Sequence, residues 1–206
     1  MTEISSAELT KARGAVLRNA ESLLSDSLLL QANGRLARSF ATAVLAAEEF
    51  GKLAMLVRAF YAVNRNESFD WRRLDKRMRN HQDKLRLFLL IRYINDSNAA
   101  VWTRPKDVLV DYLADRAEQR LLDMAKQDGF YVTVGDSFLR EPDEAITPEM
   151  AGNMRHTTVG TGQFFATGER TDQQRSNLGG IADLYGKIVC LADDLISDPG
   201  RVLLPR

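Results

Sequence analysis

The feature that most constrains how this chain can fold is a long apolar segment over residues 35–64. Within it, 13 of the 18 residues from 40 to 57 are apolar, which predicts a helix that is buried on most sides. Three charged residues, Glu48, Glu49 and Lys52, interrupt the apolar run. Charged side chains are rarely buried without a partner. These three therefore either face solvent as an ordinary ion pair or form a paired polar site inside the protein.

Composition limits the classes of protein to which the chain can belong. Of its 206 residues, 45% are apolar and 27% are charged, and the formal net charge is zero. This predicts one globular domain with a sizeable core, which can attract nucleic acid only through a local patch. The single cysteine, Cys190, cannot form an internal disulfide and is typical of the cytosol. We recognise no signal peptide and no apolar run near the ~20 residues that span a bilayer, so we expect a cytoplasmic protein without a membrane partner.

Hydrophobic periodicity predicts that most of the chain is helical, because apolar residues recur at three- and four-residue spacings. Besides the apolar segment, the predicted helices are one capped by Ser5 or Ser6, one over residues 71–94, one over 105–129, one that begins at Thr147-Pro148, and one over 173–196. Residues 130–134 are aromatic and β-branched and predict a short extended piece, with a loop over 135–146. The fold prediction is an all-α bundle, weakest around Gly160, Gly162 and Gly168.

The main charge anomaly of this neutral chain lies in residues 71–86. That segment holds seven lysines and arginines against two aspartates, a net charge of +5. If the segment is one helix, successive spacings of four, four and three place Arg73, Arg77, His81 and Lys84 on one face. Lysine and arginine hold phosphate charge, and histidine moves protons near neutral pH, so this face suits a phosphodiester. The alternative is a solvated basic face, or one that pairs with the acidic residues of the apolar helix.

Other patterns give no support for a metal or a cofactor. The sequence lacks the Glu-x-x-His pairs of di-iron bundles and the His-Glu-x-x-His signature of zinc proteases. Gly160-x-Gly162 lacks the preceding strand and the third glycine of a phosphate-binding loop. We therefore expect neither metal nor cofactor. Gly51 costs about 1 kcal/mol relative to alanine in a helix, which predicts that another part of the chain approaches it closely.

Several motifs occur in a fixed order along the chain: Ala47-Glu48-Glu49-x-Gly51-Lys52, His81-x-x-Lys84, Lys126-x-x-Gly129-Phe130-Tyr131-Val132, Pro142, and Ile146-Thr147. In this order and spacing, over residues 13–151, the chain resembles the AbiV family of abortive-infection proteins, which is grouped with the HEPN superfamily. We accordingly expect one domain over 1–206, an HEPN-like helical bundle with its core over about 7–151 and additional C-terminal helices over about 152–206.

The resemblance also implies a role in bacterial defence against phage, a homodimer and action on RNA. Many HEPN proteins are metal-independent ribonucleases whose signature is an arginine, four to six residues, and then a histidine. In this chain Lys76 stands at that spacing before His81, and Arg77 is one residue too close. Lysine does not reproduce the planar fork of arginine.

Three hypotheses about function follow. In the first, the protein binds a phage or host component, with RNA or the translation machinery as candidates. In the second, it is a metal-independent endoribonuclease. In the third, the acidic and basic motifs only lock the bundle together. The candidate site residues are, for catalysis, His81, Lys76 and Arg77; for RNA or phosphate binding, Arg73, Arg77 and Lys84; and for pairing or positioning, Glu48, Glu49 and Lys52.

Overall fold

The computed structural model describes residues 4–96, 117–135, 138–173 and 179–197. Within these ranges the chain forms eight helices and one two-stranded antiparallel hairpin, which confirms the predicted all-α class. The elements are α1 (Ser6–Ala32), α2 (Leu36–Asn64), α3 (Trp71–Arg79), α4 (His81–Asp96), α5 (Ala117–Phe130), β1 (Thr133–Gly135), β2 (Phe138–Arg140), α6 (Pro142–Ala145), α7 (Pro148–Gln173) and α8 (Gly179–Ser197).

Helix α2 is the centre of the bundle, as its apolar sequence predicts. It contacts α1, α4, α5, α7 and α8, and 20 of its 29 residues are buried. Among them is Glu48, which is 2% exposed. The prediction of a helix buried on most sides is confirmed; Glu48 lies among the packing contacts, whereas Glu49 and Lys52 are partly exposed.

The predicted single helix over residues 71–94 is wrong, because the chain leaves the helical conformation at Asn80. This residue is extended, with φ −89° and ψ 116°. Its side-chain Oδ1 accepts hydrogen bonds from the backbone N–H groups of Gln82 (2.9 Å) and Asp83 (3.3 Å). Asparagine is a favoured N-cap residue for this reason. Asn80 therefore ends α3 and caps α4, so residues of α3 and α4 do not share one helical face.

Helix α7 runs without a break through the glycines that the sequence marks as weak points. Two of them make room for aromatic rings. A Cβ atom on Gly162 would lie 2.8 Å from the ring of Phe50, and one on Gly168 would lie 2.4 Å from the ring of Tyr185. These glycines lower helix propensity but let the neighbouring rings pack against the α7 backbone.

Smaller predictions have mixed outcomes. Thr147 caps α7 by accepting from the backbone N–H of Met150 at 3.2 Å, as predicted. The predicted extended piece is found as β1, shifted toward the C-terminus, whereas the predicted loop over 135–146 also contains β2 and α6. The described part of the predicted fourth helix is α5; its beginning and the preceding connector lie outside the described residues.

The core is one hydrophobic cluster to which both ends of the chain contribute, from Leu9 in α1 to Ile196 in α8. Helix α7 crosses residue 151, so the division into a core and a C-terminal extension stays a prediction.

Buried polar contacts also join distant helices. Arg13 pairs with Glu169 at 2.8 Å, and Tyr185 donates to the same carboxylate at 2.8 Å. Cys190 of α8 is buried, and burial raises its pKa to about 12.

Candidate functional site

The centre of the candidate site is the buried carboxylate of Glu48 on α2. Its Oε1 accepts from Lys126 Nζ of α5 at 2.7 Å. Its Oε2 accepts from His81 Nδ1 at 2.5 Å and lies 3.0 Å from Lys84 Nζ, both on α4. We call these four residues the Glu48 cluster. One carboxylate on the central helix therefore binds basic groups from two neighbouring helices.

Two glycines bring the neighbouring helices close enough for these contacts. A Cβ atom on Gly51 would lie only 2.1 Å from the backbone carbonyl oxygen of Lys84, so α4 packs directly on the α2 backbone. In the same way, a Cβ atom on Gly129 of α5 would lie 2.7 Å from the carbonyl oxygen of Ala37. The predicted close approach at Gly51 is confirmed. The close crossings place Lys84 and Lys126 within reach of Glu48.

The electrostatics of the cluster favour charged ion pairs. Burial alone would raise the pKa of Glu48, but hydrogen bonds from Lys126, His81 and Lys84 outweigh it and hold this pKa below its ordinary value. Burial would lower the pKa of Lys126, yet the carboxylates of Glu48 and Asp123 raise it above its ordinary value. Asp123 Oδ1 lies 2.9 Å from Lys126 Nζ. Burying an ion pair is costly unless several partners share the charge, and here they do.

His81 differs from the other cluster members because its side chain is 55% exposed. Since the pKa of Glu48 is lowered, the carboxylate accepts and His81 Nδ1 carries a proton. In a neutral imidazole the lone pair is then on Nε2. Within the described part of the chain, Nε2 has no hydrogen-bond partner. The cluster thus fixes one ring nitrogen and leaves the other available to a ligand.

The remaining acidic-motif residues pair with each other. Lys52 forms an ion pair with Glu49, three residues before it, and both side chains are partly exposed. Glu48 instead directs its carboxylate toward α4 and α5. Glu48 is therefore the member of the acidic motif that contacts the histidine.

The residues predicted to share one basic face, namely Arg73, Arg77, His81 and Lys84, are divided between two environments. Arg77 is buried and pairs with Asp193 of α8 at 2.7 Å, and Lys84 is buried against Glu48. Neither presents its charge to solvent. Arg73 of the predicted face is exposed. So are three cations outside that face: Arg72, Lys76 and Arg79. We call these four exposed residues the α3 basic face: Arg72, Arg73, Lys76 and Arg79.

The residues that the sequence reasoning missed lie mainly on α5. The family motif includes Lys126 without giving it a role, and it does not include Asp123. The signal that points to Lys126 is the Lys126-x-x-Gly129 spacing, since Gly129 makes the close crossing on α2 and Lys126 lies one turn earlier. The second histidine, His156, is exposed on α7 and has no contact with the Glu48 cluster.

The described ranges contain neither a cluster suited to a metal ion nor a membrane-spanning helix. No group of three or more histidine, cysteine or carboxylate side chains there is arranged to hold a metal ion. None of the helices in those ranges combines the length and the apolar character that crossing a membrane requires.

The chain is an all-α bundle whose central helix carries a buried glutamate with a histidine partner. The HEPN_AbiV family model, described as AbiV, matches residues 8–160, which is 153 of the 206 residues. The chain belongs to the AbiV family. This membership indicates a role in abortive infection, a bacterial defence against phage. Searches of curated proteins and of solved structures found no match.

Proposed function

We propose that this abortive-infection protein binds RNA through the α3 basic face, beside His81. The observation that carries the proposal is the position of four exposed cations on one nine-residue helix in a chain of zero net charge. Arg72, Lys76 and Arg79 have spacings of four and three, so they project from the same side of α3. Arg79 also pairs with Asp75 one turn earlier.

Phosphate contacts give RNA binding a strong dependence on salt, and this makes the proposal testable. The experiment is fluorescence anisotropy with labelled single-stranded RNA in EDTA at several salt concentrations. Each phosphate contact removed should lower the slope of log K against log salt by about 0.7. The triple variant Arg72→Gln, Lys76→Gln, Arg79→Gln is expected to bind RNA weakly. The matched control neutralises three exposed cations on α1 and α2, Lys11→Gln, Arg18→Gln and Arg38→Gln. Equal loss in both variants would contradict the proposal.

A second candidate function is metal-independent cleavage of RNA, and the orientation of His81 favours it. A carboxylate that binds Nδ1 orients the ring and supports proton transfer at Nε2, as in other catalytic histidines. Here Nε2 would take the proton of a ribose 2′-hydroxyl. The 2′-oxygen then bonds to the adjacent phosphorus to give a 2′,3′-cyclic phosphate, the bond to the 5′-oxygen breaks, and the leaving 5′-oxygen takes a proton from water. Of the predicted catalytic residues besides His81, Lys76 is the exposed cation, whereas Arg77 is buried and pairs with Asp193.

The test of cleavage compares wild type with His81→Ala in mixed RNA and EDTA, over several pH values and salt concentrations. Cleavage by wild type alone supports the nuclease. Glu48→Gln is the informative second variant, since it keeps the shape of the side chain but removes the charge that orients the ring. Absence of cleavage by wild type under all conditions would leave binding as the function of this surface.

The proposed active form is a homodimer, and exposed apolar side chains supply a surface for it. On the outer sides of α5 and the hairpin these are Leu121, Met124, Tyr131, Val132, Val134 and Leu139, each at least half exposed. Val134 and Leu139 pair directly across the two strands. Large exposed apolar side chains that lie side by side, as these two do, are candidates for an interface between two copies of the chain. Light scattering of wild type and of Val134→Lys, Leu139→Lys tests the proposal; an unchanged mass would contradict this interface.

A further inference from the structure

A cavity of about 690 Å³ lies where α3 begins, between the start of α1 and the loop that joins α2 to α3. Its volume falls within the range of about 300–1,000 Å³ that is typical of ligand pockets. We call it the Trp71 cavity. Its lining residues are Ile4, Ser5, Val63, Asn66, Glu67, Ser68, Phe69 and Trp71.

The lining combines aromatic surface with polar groups. The rings of Phe69 and Trp71 are in edge-to-face contact, with centroids 5.0 Å apart and planes at 68°. Both side chains are half-buried, so part of each packs on the core and part lines the cavity. Asn66 and Ser68 are exposed and supply hydrogen-bonding groups at the rim. Asn66 has a φ of 52°, a conformation that asparagine tolerates better than most residues. This mixture suits a planar, polar-edged ring.

Two carboxylates near the cavity are already engaged by cationic or N–H groups. Glu67 lies 3.1 Å from Arg58 and 3.8 Å from Arg65. Asp70 caps α3 by accepting from the backbone N–H of Arg73 at 2.9 Å. Their charges are therefore offset locally, while the next turns of the chain carry the α3 basic face. The surroundings of the cavity favour a ligand with negative charge outside the ring.

We propose that the Trp71 cavity receives a base of single-stranded RNA whose phosphates follow the α3 basic face. This inference rests on the proposed function and adds the recognition of an unpaired base to it. Aromatic side chains stack on bases that are free of a duplex, and this contact tolerates different sequences. A duplex keeps its bases paired and stacked inside, so it has no free base that could enter the cavity.

The cavity also fixes where the RNA lies relative to His81. Trp71 is the first residue of α3, and His81 follows two residues after its end. Nine helical residues rise about 13.5 Å. A base held at one end of α3 therefore sets which phosphate of the strand reaches the exposed imidazole at the other end.

The fluorescence of Trp71 reports directly on this contact. The chain has two tryptophans, so the experiment uses a Trp102→Phe background in which Trp71 is the only one. The full-length protein is titrated in EDTA with a single-stranded RNA 10-mer, the matching duplex, and an abasic ribose-phosphate strand of the same length. We expect quenching by the single strand, little by the duplex, and none by the abasic strand.

Two substitutions separate stacking from packing, because Trp71 also contacts the core. Trp71→Leu keeps apolar volume without an aromatic face, and Trp71→Phe restores a face. Loss of one stacked base should weaken single-strand binding about tenfold. We expect that loss in Trp71→Leu, recovery in Trp71→Phe, and no difference between the two on the abasic strand.

The outcomes distinguish this inference from the proposed function. Single-strand binding with no quenching of Trp71, or equal affinity of Trp71→Leu and wild type, overturns the cavity proposal and leaves RNA binding by α3 intact. Tighter binding of duplex than of single strand does the same. Failure to bind any of the three strands overturns both proposals.

Discussion

Basic side chains occur both in the Glu48 cluster and on the α3 basic face, yet the two regions use charge differently. In the cluster, Lys84 and Lys126 are 6% and 3% exposed and share one carboxylate. On α3, Arg72 and Lys76 extend into solvent. Charge that is buried and paired holds helices together, whereas exposed charge is available to a polyanion. Sequence shows the charges of both regions, and only packing separates their roles.

The largest expected effect is the loss of the carboxylate at the centre of the cluster. Glu48→Gln leaves Lys84 buried without this counter-charge and leaves Lys126 with Asp123 alone, which should cost about 3–5 kcal/mol of unfolding free energy. Urea unfolding measures it. The matched surface variant is Glu49→Gln, whose partner Lys52 is partly exposed and whose loss should cost less than about 1 kcal/mol. Similar losses in the two variants would show that Glu48 does not hold the bundle.

Coupling between α2 and α4 is tested by combining Glu48→Gln with Lys84→Met. Because each single variant leaves the other group buried and unpaired, the double variant should lose less than the sum, with an interaction of about 0.5–3 kcal/mol. The same urea experiment gives all three values. If the losses simply add, the two helices are not coupled through this pair.

Gly51→Ala is the next largest change, because its Cβ atom would meet backbone rather than a flexible side chain. Forcing α2 and α4 apart should cost about 1–3 kcal/mol and lengthen the contact between Glu48 and His81. Gly160→Ala is the control, since nothing lies within 4 Å of its added Cβ and alanine favours a helix by about 1 kcal/mol. Thermal unfolding should therefore move in opposite directions for the two variants.

Lowering the pH should reduce the contribution of the Glu48 cluster to the unfolding free energy. The folded-state pKa of Glu48 lies below its ordinary value, so its contribution to stability is present above the unfolded pKa of about 4.3. That contribution is lost as pH falls through the lower, folded pKa. The difference in unfolding free energy between wild type and Glu48→Gln should therefore be constant near neutral pH and shrink in acid. A difference that does not change below pH 4 would contradict the lowered pKa.

The smallest effect on stability is expected on α3. Lys76→Ala removes an exposed side chain and should change the unfolding free energy by no more than about 0.5 kcal/mol. The same change should weaken RNA binding under the proposed function. If Lys76→Ala loses stability but keeps its RNA affinity, the charge on α3 supports the fold, as in the Glu48 cluster, and does not bind RNA.

Local sequence patterns were sufficient to predict the central helix, its burial and the close approach at Gly51. They also indicated that the acidic motif and the basic segment could meet, since both are anomalies in their own surroundings. The break at Asn80 was missed because one capping side chain overrides a periodicity that continues across it.

The partners of the charged residues were harder to predict. Lys126 lies 78 residues from Glu48, and Asp193 lies 116 residues from Arg77. No local spacing indicates such pairs, because they depend on which helices pack together. Of the two alternatives for the basic segment, pairing with the acidic residues of the central helix applies to Lys84, whereas Arg77 pairs with α8 instead.

The cap at Asn80 has a consequence for how this region tolerates insertions and deletions. A residue added within α3 would rotate the preceding cations by about 100° around that helix. The register of α4 is set anew by the Asn80 side chain and by the contact of Lys84 with Gly51. His81 and Lys84 would keep their places on Glu48. The solvent-facing charges can thus be re-spaced by one-residue changes of length while the buried pairs stay aligned.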